Sequence, residues 1–147
     1  MNKKYMQIAL EKAKEAYEIG EIPVGAVIVK DDKIIGTGMN TREKDKNALG
    51  HAEINAINEA CKNTGSWRLD GATIYVTMEP CPMCAGAIIN ARIKTVVFGC
   101  YDLKMGAFDS VCNLANEKFD FTPEIYGGIM EKECGEIVKK FFEELRK

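Results

Sequence analysis

The segment Thr95-Val-Val-Phe-Gly99 is apolar without alternation. A strand with no polar side is buried on both faces, as in a sheet covered by helices on each side. The rest of the chain supplies those helices. Met6, Ala9, Leu10, Ala13, Ala16 and Tyr17 follow the i, i+3, i+4, i+7 pattern over residues 3 to about 19, and Gly20 ends that helix. A second helix runs from about His51 to Asn63, with Ala52, Ala56, Ile57, Ala60 and Cys61 on one face. A third opens at Pro80, because proline is tolerated in a first turn, and reaches about Ala91. A last one spans about 130–146 and is expected to bury Cys134, Ile137, Val138, Phe141, Phe142 and Leu145.

Strands fall between these helices. Val24–Val29 and Lys33–Met39 flank Asp31-Asp32 and form a tight hairpin. Ala72–Thr77 alternates, and Glu124–Tyr126 is a candidate final strand. Residues 41–47 are polar, carry Arg42, Lys44 and Lys46, and read as a loop; a short apolar segment lies near Val111–Leu114. Helix, two strands, then alternating helix and strand make an α/β chain: a three-layer α-β-α sandwich around a mixed, mostly five-stranded sheet. With 147 residues and no Pro/Gly/Ser linker or repeat, one domain spanning 1–147 is expected.

Bulk composition excludes several classes. No run of about 18 apolar residues is present, so no membrane span is expected. Met1–Lys14 is charged and lacks the apolar core of a secretory signal, which makes the cytoplasm the expected compartment. Twenty basic against 22 acidic residues give a net charge of −2, so no global basic footprint marks a nucleic-acid binder. Of six cysteines, only Cys81 and Cys84 have metal-ligand spacing; Cys61, Cys100, Cys112 and Cys134 read as buried small hydrophobes.

Two segments carry chemistry: His51-Ala-Glu53 and Pro80-Cys-Pro-Met-Cys84. Each opens a helix. Residues three apart share a helical face, so two thiolates can grip one ion, and the helix N-terminus lowers thiol pKa. His51 is the only histidine, so any imidazole ligand must be His51. Three protein ligands leave one zinc position open, the mark of a catalytic site. Glu53, two residues from His51, is placed to carry a proton beside it. Residues two apart on a regular helix do not face each other, so His51 is expected at the helix cap. Alone, His51 and Glu53 would be an ordinary histidine and a charge favouring the helix dipole. The Cys pair alone would fit a redox site or structural zinc.

Together the two motifs match the signature of zinc-dependent nucleobase deaminases. The chain resembles the bacterial tRNA adenosine deaminases of the cytidine deaminase superfamily. The likeness covers nearly the whole length through Glu21-Ile-Pro-Val-Gly-Ala-Val27, Gly38-Met-Asn40, His51-Ala-Glu53, Tyr75–Gly86, Arg92, Val97-Phe-Gly99 and Phe141-Phe142. The resemblance implies one zinc ion per subunit on His51, Cys81 and Cys84, Glu53 as general acid/base, and a homodimer. It implies that Asn40 hydrogen-bonds the base, that Val24 lines its pocket and that Asp102 contacts the neighbouring nucleotide. Asn40 and Asp102 also suit turns.

The departures bear on substrate. Leu49-Gly50 replaces the usual Thr-Ala before the histidine, Asp120-Phe-Thr122 stands where Asn-His-Arg is common, and Tyr101 replaces an arginine. Residues 131–147 hold five acidic and five basic residues and no basic tail. The leading expectation is deamination of the wobble adenosine in a tRNA anticodon loop, whose base is already unpaired. The alternatives are a deaminase of a free nucleobase or nucleoside, and a non-catalytic module stabilised by zinc.

Overall fold

The computed structural model describes residues 2–146. In chain order its helices and strands are α1 (Lys3–Glu18), β1 (Gly25–Lys30), β2 (Lys33–Met39), α2 (Arg42–Asp45), α3 (Ala52–Thr64), β3 (Thr73–Met78), α4 (Pro82–Asn90), β4 (Thr95–Cys100), β5 (Glu124–Tyr126) and α5 (Glu131–Leu145). The five strands form one sheet in the order β2-β1-β3-β4-β5. β1 pairs antiparallel with both β2 and β3, while β3–β4 and β4–β5 are parallel. The expected mixed five-stranded sandwich is present. Asp31 and Asp32 both adopt positive φ, as a two-residue hairpin turn requires.

Period-two alternation divides the core. Ala26, Ile28, Ile74, Val76, Val96 and Phe98 point to one face, against Ala52, Ala56 and Ala60 of α3 and Ala85 and Ile88 of α4. Val27, Val29, Tyr75 and Val97 point to the other, against α1 and Cys134 of α5. Both faces are covered, which is why β1, β3 and β4 carry apolar residues at successive positions.

The sheet's polarity locates the site. β2, β3 and β4 run in one direction and β1 runs against them. The segments leaving the carboxyl ends of β2, β3 and β4 therefore emerge at one edge, beside the start of β1. Ligand sites of open α/β sheets form at such an edge. Here it gathers Val24, Asn40–His51, Glu79–Cys84 and the loop 101–110.

Close packing fixes one of these segments. A Cβ on Gly38 would overlap the Ala52 carbonyl and the Ala56 nitrogen, and one on Gly36 would overlap Ala56 and Ala60. Glycines on β2 facing alanines on α3 let the helix backbone lie directly on the strand.

Several expectations are corrected. Residues 42–45 form a single helical turn rather than a loop, closed by Lys46 in the left-handed region. α4 begins at Pro82, with Cys81 as its N-cap, two residues later than expected. Cys112, expected as a buried small hydrophobe, is exposed, as is Val111; pairing in this segment is one bridge between Phe108 and Asn113, followed by a 3-10 turn. Cys61 is half-buried, whereas Cys100 and Cys134 are buried as expected. α5 buries only Cys134, and Leu145 is 68% exposed. Its second half runs beyond the sheet beside α1, where Phe141 meets Tyr17 edge-on and Tyr17 donates to Glu144. Among the described residues no helix is long and apolar enough to cross a membrane.

Gly38→Val forces α3 off β2. Overpacking of this kind is expected to lower stability by at least about 1–3 kcal/mol, read as a lower thermal midpoint.

Candidate active site

His51 and Cys81 are the N-caps of α3 and α4, with extended backbone, so their side chains leave the helix axis before the first turn. Pro82 follows at the first helical position, where its missing N–H costs nothing. Cys84 stands one turn along. His51 Nδ1 lies 3.6 Å from Cys81 Sγ and 3.5 Å from Cys84 Sγ. The three ligand atoms lie within 4.8 Å of one another and could hold a metal ion. Two helix N-termini aim unpaired N–H groups at this point, which favours thiolate.

Without a cation, the sulfurs share protons with the imidazole. The Cys84 thiol, hydrogen-bonded to Cys81, and then His51 hold Cys81 down at about 4 despite its burial. The same bond and burial push Cys84 far up. The bond to Cys81 raises His51, while desolvation opposes it. A cation between them would take the place of these protons.

Glu53 sits in the first turn of α3 and is 4% exposed. Burial raises its carboxyl from the ordinary 4.5 to about 7; its own helix-start N–H pulls the other way, and the charge of Cys81 adds to the rise. The cap position of His51 removes the geometric difficulty of residues two apart, since only Glu53 is inside the helix.

A cavity of about 530 Å³ opens onto this cluster. Val24, Asn40 and Asp102 all line it. The Asn40 amide donates to the Ile22 carbonyl (3.2 Å), and its Oδ1 accepts from Arg42 N–H (3.1 Å). That holds the amide in place with one N–H left over. Asp102 Oδ1 accepts from the N–H groups of Lys104 and Met105, both at 3.1 Å, so Asp102 is a turn residue that also faces the cavity.

The structure adds lining residues that the sequence reading did not assign, among them Met78, Tyr101, Leu103 and Met105. Phe142, expected in the core, is 36% exposed and stands at the cavity rim. Arg42 and Lys104 flank the mouth. Glu21 brings Arg42 there: its buried carboxylate accepts from Glu43 N–H (3.1 Å) and Lys44 N–H (2.7 Å) at the start of α2. No motif spacing signals these residues; only a buried carboxylate bonding to backbone reveals them.

Comparison with known proteins agrees with this geometry. A family model of MafB19-like deaminases matches residues 1–146. The chain belongs to this deaminase family. It is 49% identical over 144 residues to a tRNA-specific adenosine deaminase of Bacillus subtilis (strain 168), covering 97% of this chain and 89% of that one. It is 46% identical over 144 residues to one of Rickettsia bellii, covering 96% and 99%. A solved chain from a study of A-to-I editing by tRNA:A34 deaminases superposes with a TM-score of 0.90 at 39% identity, over 92% of this chain and 99% of that one. A guanine deaminase of Bacillus subtilis superposes with a TM-score of 0.65 at 32% identity, over 82% and 88%.

Cobalt(II) titration is expected to give a thiolate-to-metal absorption band with one equivalent bound. Cys81→Ala and Cys84→Ala are each expected to weaken binding by at least about tenfold, measured in the same titration.

Proposed function

We propose that this protein is a zinc-dependent hydrolytic deaminase that converts the wobble adenosine of a tRNA anticodon loop to inosine. The observation that carries the chemistry is the packing of His51, Cys81 and Cys84 around one point, with the buried carboxyl of Glu53 beside it. The donor set fits zinc. Bonds of about 2.0–2.1 Å to nitrogen and 2.3 Å to sulfur at the tetrahedral angle separate nitrogen from each sulfur by about 3.5–3.6 Å. The separations of 3.6 and 3.5 Å match. When bound, zinc supplies a Lewis acid that makes water more acidic and a stronger nucleophile near neutral pH.

The chain's own groups do the rest. Glu53 takes one proton from the attacking water and places it on N1 of adenine, then carries the second, from the new hydroxyl, to the exocyclic nitrogen. Water oxygen bonds to C6 of adenine, the C6–N bond breaks, and ammonia leaves. Burial raises the proton affinity of this carboxyl, which suits a group that takes up and releases protons in turn. The remaining N–H of Asn40 is positioned to donate to the base, and Val24 offers an apolar wall. Asp102 keeps one carboxylate oxygen free of the turn for the neighbouring nucleotide. Arg42 and Lys104 flank the mouth, which supplies local positive charge that the net balance of −2 conceals.

Relatives of 49% and 46% identity over nearly the whole chain support tRNA as the substrate. The guanine deaminase likeness favours a free base, but at a TM-score of 0.65 against 0.90 for the chain from the tRNA:A34 deaminase study. A merely structural zinc site leaves a buried, proton-active Glu53 without purpose. A homodimer acting in the cytoplasm completes the proposal.

Purified protein is expected to release ammonia and form inosine from an anticodon stem-loop with adenosine at the wobble position. Free bases and nucleosides in the same panel should give little product; activity on them alone would reject the tRNA reading. Glu53→Gln is expected to lose about 10²–10⁴-fold in kcat while keeping its zinc, measured by metal analysis of the same sample.

A further inference from the structure

The Glu79 carboxyl is 2% exposed, yet among the described residues no cation pairs with it. Hydrogen-bond donors from one loop meet its charge. Oε1 accepts from Asp102 N–H (3.1 Å) and from the Ser110 hydroxyl; Oε2 accepts from Phe108 N–H (3.3 Å) and Ser110 N–H (2.9 Å). A carboxylate ringed by three backbone N–H groups and a hydroxyl needs no counter-ion.

The main chain doubles the attachment. Glu79 N–H donates to the Cys100 carbonyl (2.8 Å), and Ala107 N–H donates to the Pro80 carbonyl (2.9 Å). Gly106 makes room for it, since a Cβ there would overlap the Glu79 carboxylate. Ala107 and Phe108 of this loop are buried in the core and Tyr101 meets Phe98 edge-on, but the stretch between them is thinly supported. Leu103 is 82% exposed, Met105 is exposed, and the Asp102 carboxylate bonds only within its own turn. Yet residues 101–105 form one wall of the cavity. On the other side, Glu79 and Pro80 lead directly into Cys81, the cap of α4.

We propose that Glu79 is a positioning residue that ties the loop 101–110 to the turn carrying Cys81, and so sets how tightly the nucleotide beside the target base is held. The proposal rests on the tRNA-deaminase reading of the site. Glu79 borders the cavity, but both of its carboxyl oxygens accept from the loop. It fixes the distance between the wall that meets the flanking nucleotide and the point where the base reacts. Three inward N–H groups of the loop have no acceptor without it, and a buried unsatisfied donor drives local opening.

Glu79→Gln isolates this role because it keeps size and changes one acceptor into a donor. With the NH2 at the Oε1 position, Asp102 N–H faces a donor; at the Oε2 position, Phe108 and Ser110 N–H do. Amide hydrogen exchange at Asp102, Phe108 and Ser110 is expected to accelerate at least about tenfold, with β1 and β3 unchanged and metal content retained. KM for the stem-loop is expected to rise about tenfold, by more than kcat falls. Ser110→Ala removes the hydroxyl bond alone and should shift both readouts the same way by less; it carries the test if the Gln variant does not fold. Unchanged exchange in the loop would overturn the proposal. So would faster exchange across the whole sheet, loss of metal, or a fall in kcat that exceeds the rise in KM. If wild-type protein leaves the stem-loop untouched, the substrate reading fails, while the exchange measurement still decides the anchor.

Discussion

Two helices begin at nearly the same point in space, and the chemistry depends on that coincidence. Each helix start presents N–H groups that no residue of its own helix can satisfy. Bringing two such ends together creates a place where negative sulfur is favoured. His51 and Cys81 occupy the cap positions, where the backbone is extended and a side chain can turn toward its counterpart. The separations of 3.5 and 3.6 Å between imidazole and sulfurs are the outcome. Nothing local to either motif enforces them. They follow from α3 lying backbone-to-strand on β2 through Gly36 and Gly38, and from α4 spanning the parallel pair β3–β4.

Two buried acids, Glu53 and Glu79, line the cavity and a third, Glu21, stands behind α2, and each is made tolerable differently. Glu53 is raised by its dry surroundings, which favour its protonated form. Glu21 receives the first N–H groups of α2. Glu79 receives three N–H groups and a hydroxyl from the loop after β4. Carboxylates that accept from backbone fix chain segments more rigidly than surface ion pairs do, because neither partner is a long flexible side chain. The rim of the cavity is thus held by its acids, which place Arg42 and Lys104 at its mouth.

Much of the architecture was legible in the sequence. Hydrophobic period separates α1 and α3 from β1 and β4, and the unbroken apolar run at Thr95–Gly99 foretold cover on both faces. His51, Glu53, Cys81 and Cys84 stood out because rare residue types at fixed spacing opened two helices. α5 read less well. Phe142 and Leu145 fit a buried stripe by period, but period cannot tell where the sheet ends, and the helix outruns it. The Val111–Leu114 segment reads only as apolar: Val111 and Cys112 are exposed, while Leu114 packs against the core.

The sequence by itself determined the donor set and the element types, because ligand chemistry and periodicity are properties of neighbouring residues. Tertiary structure alone decided that residues 40, 51, 81 and 102 share one cavity, and that Glu79 and Glu21 hold its rim. Those relations depend on strand direction and sheet order, which link positions tens of residues apart. No short-range pattern encodes them, since the energy that selects them comes from burying whole faces together.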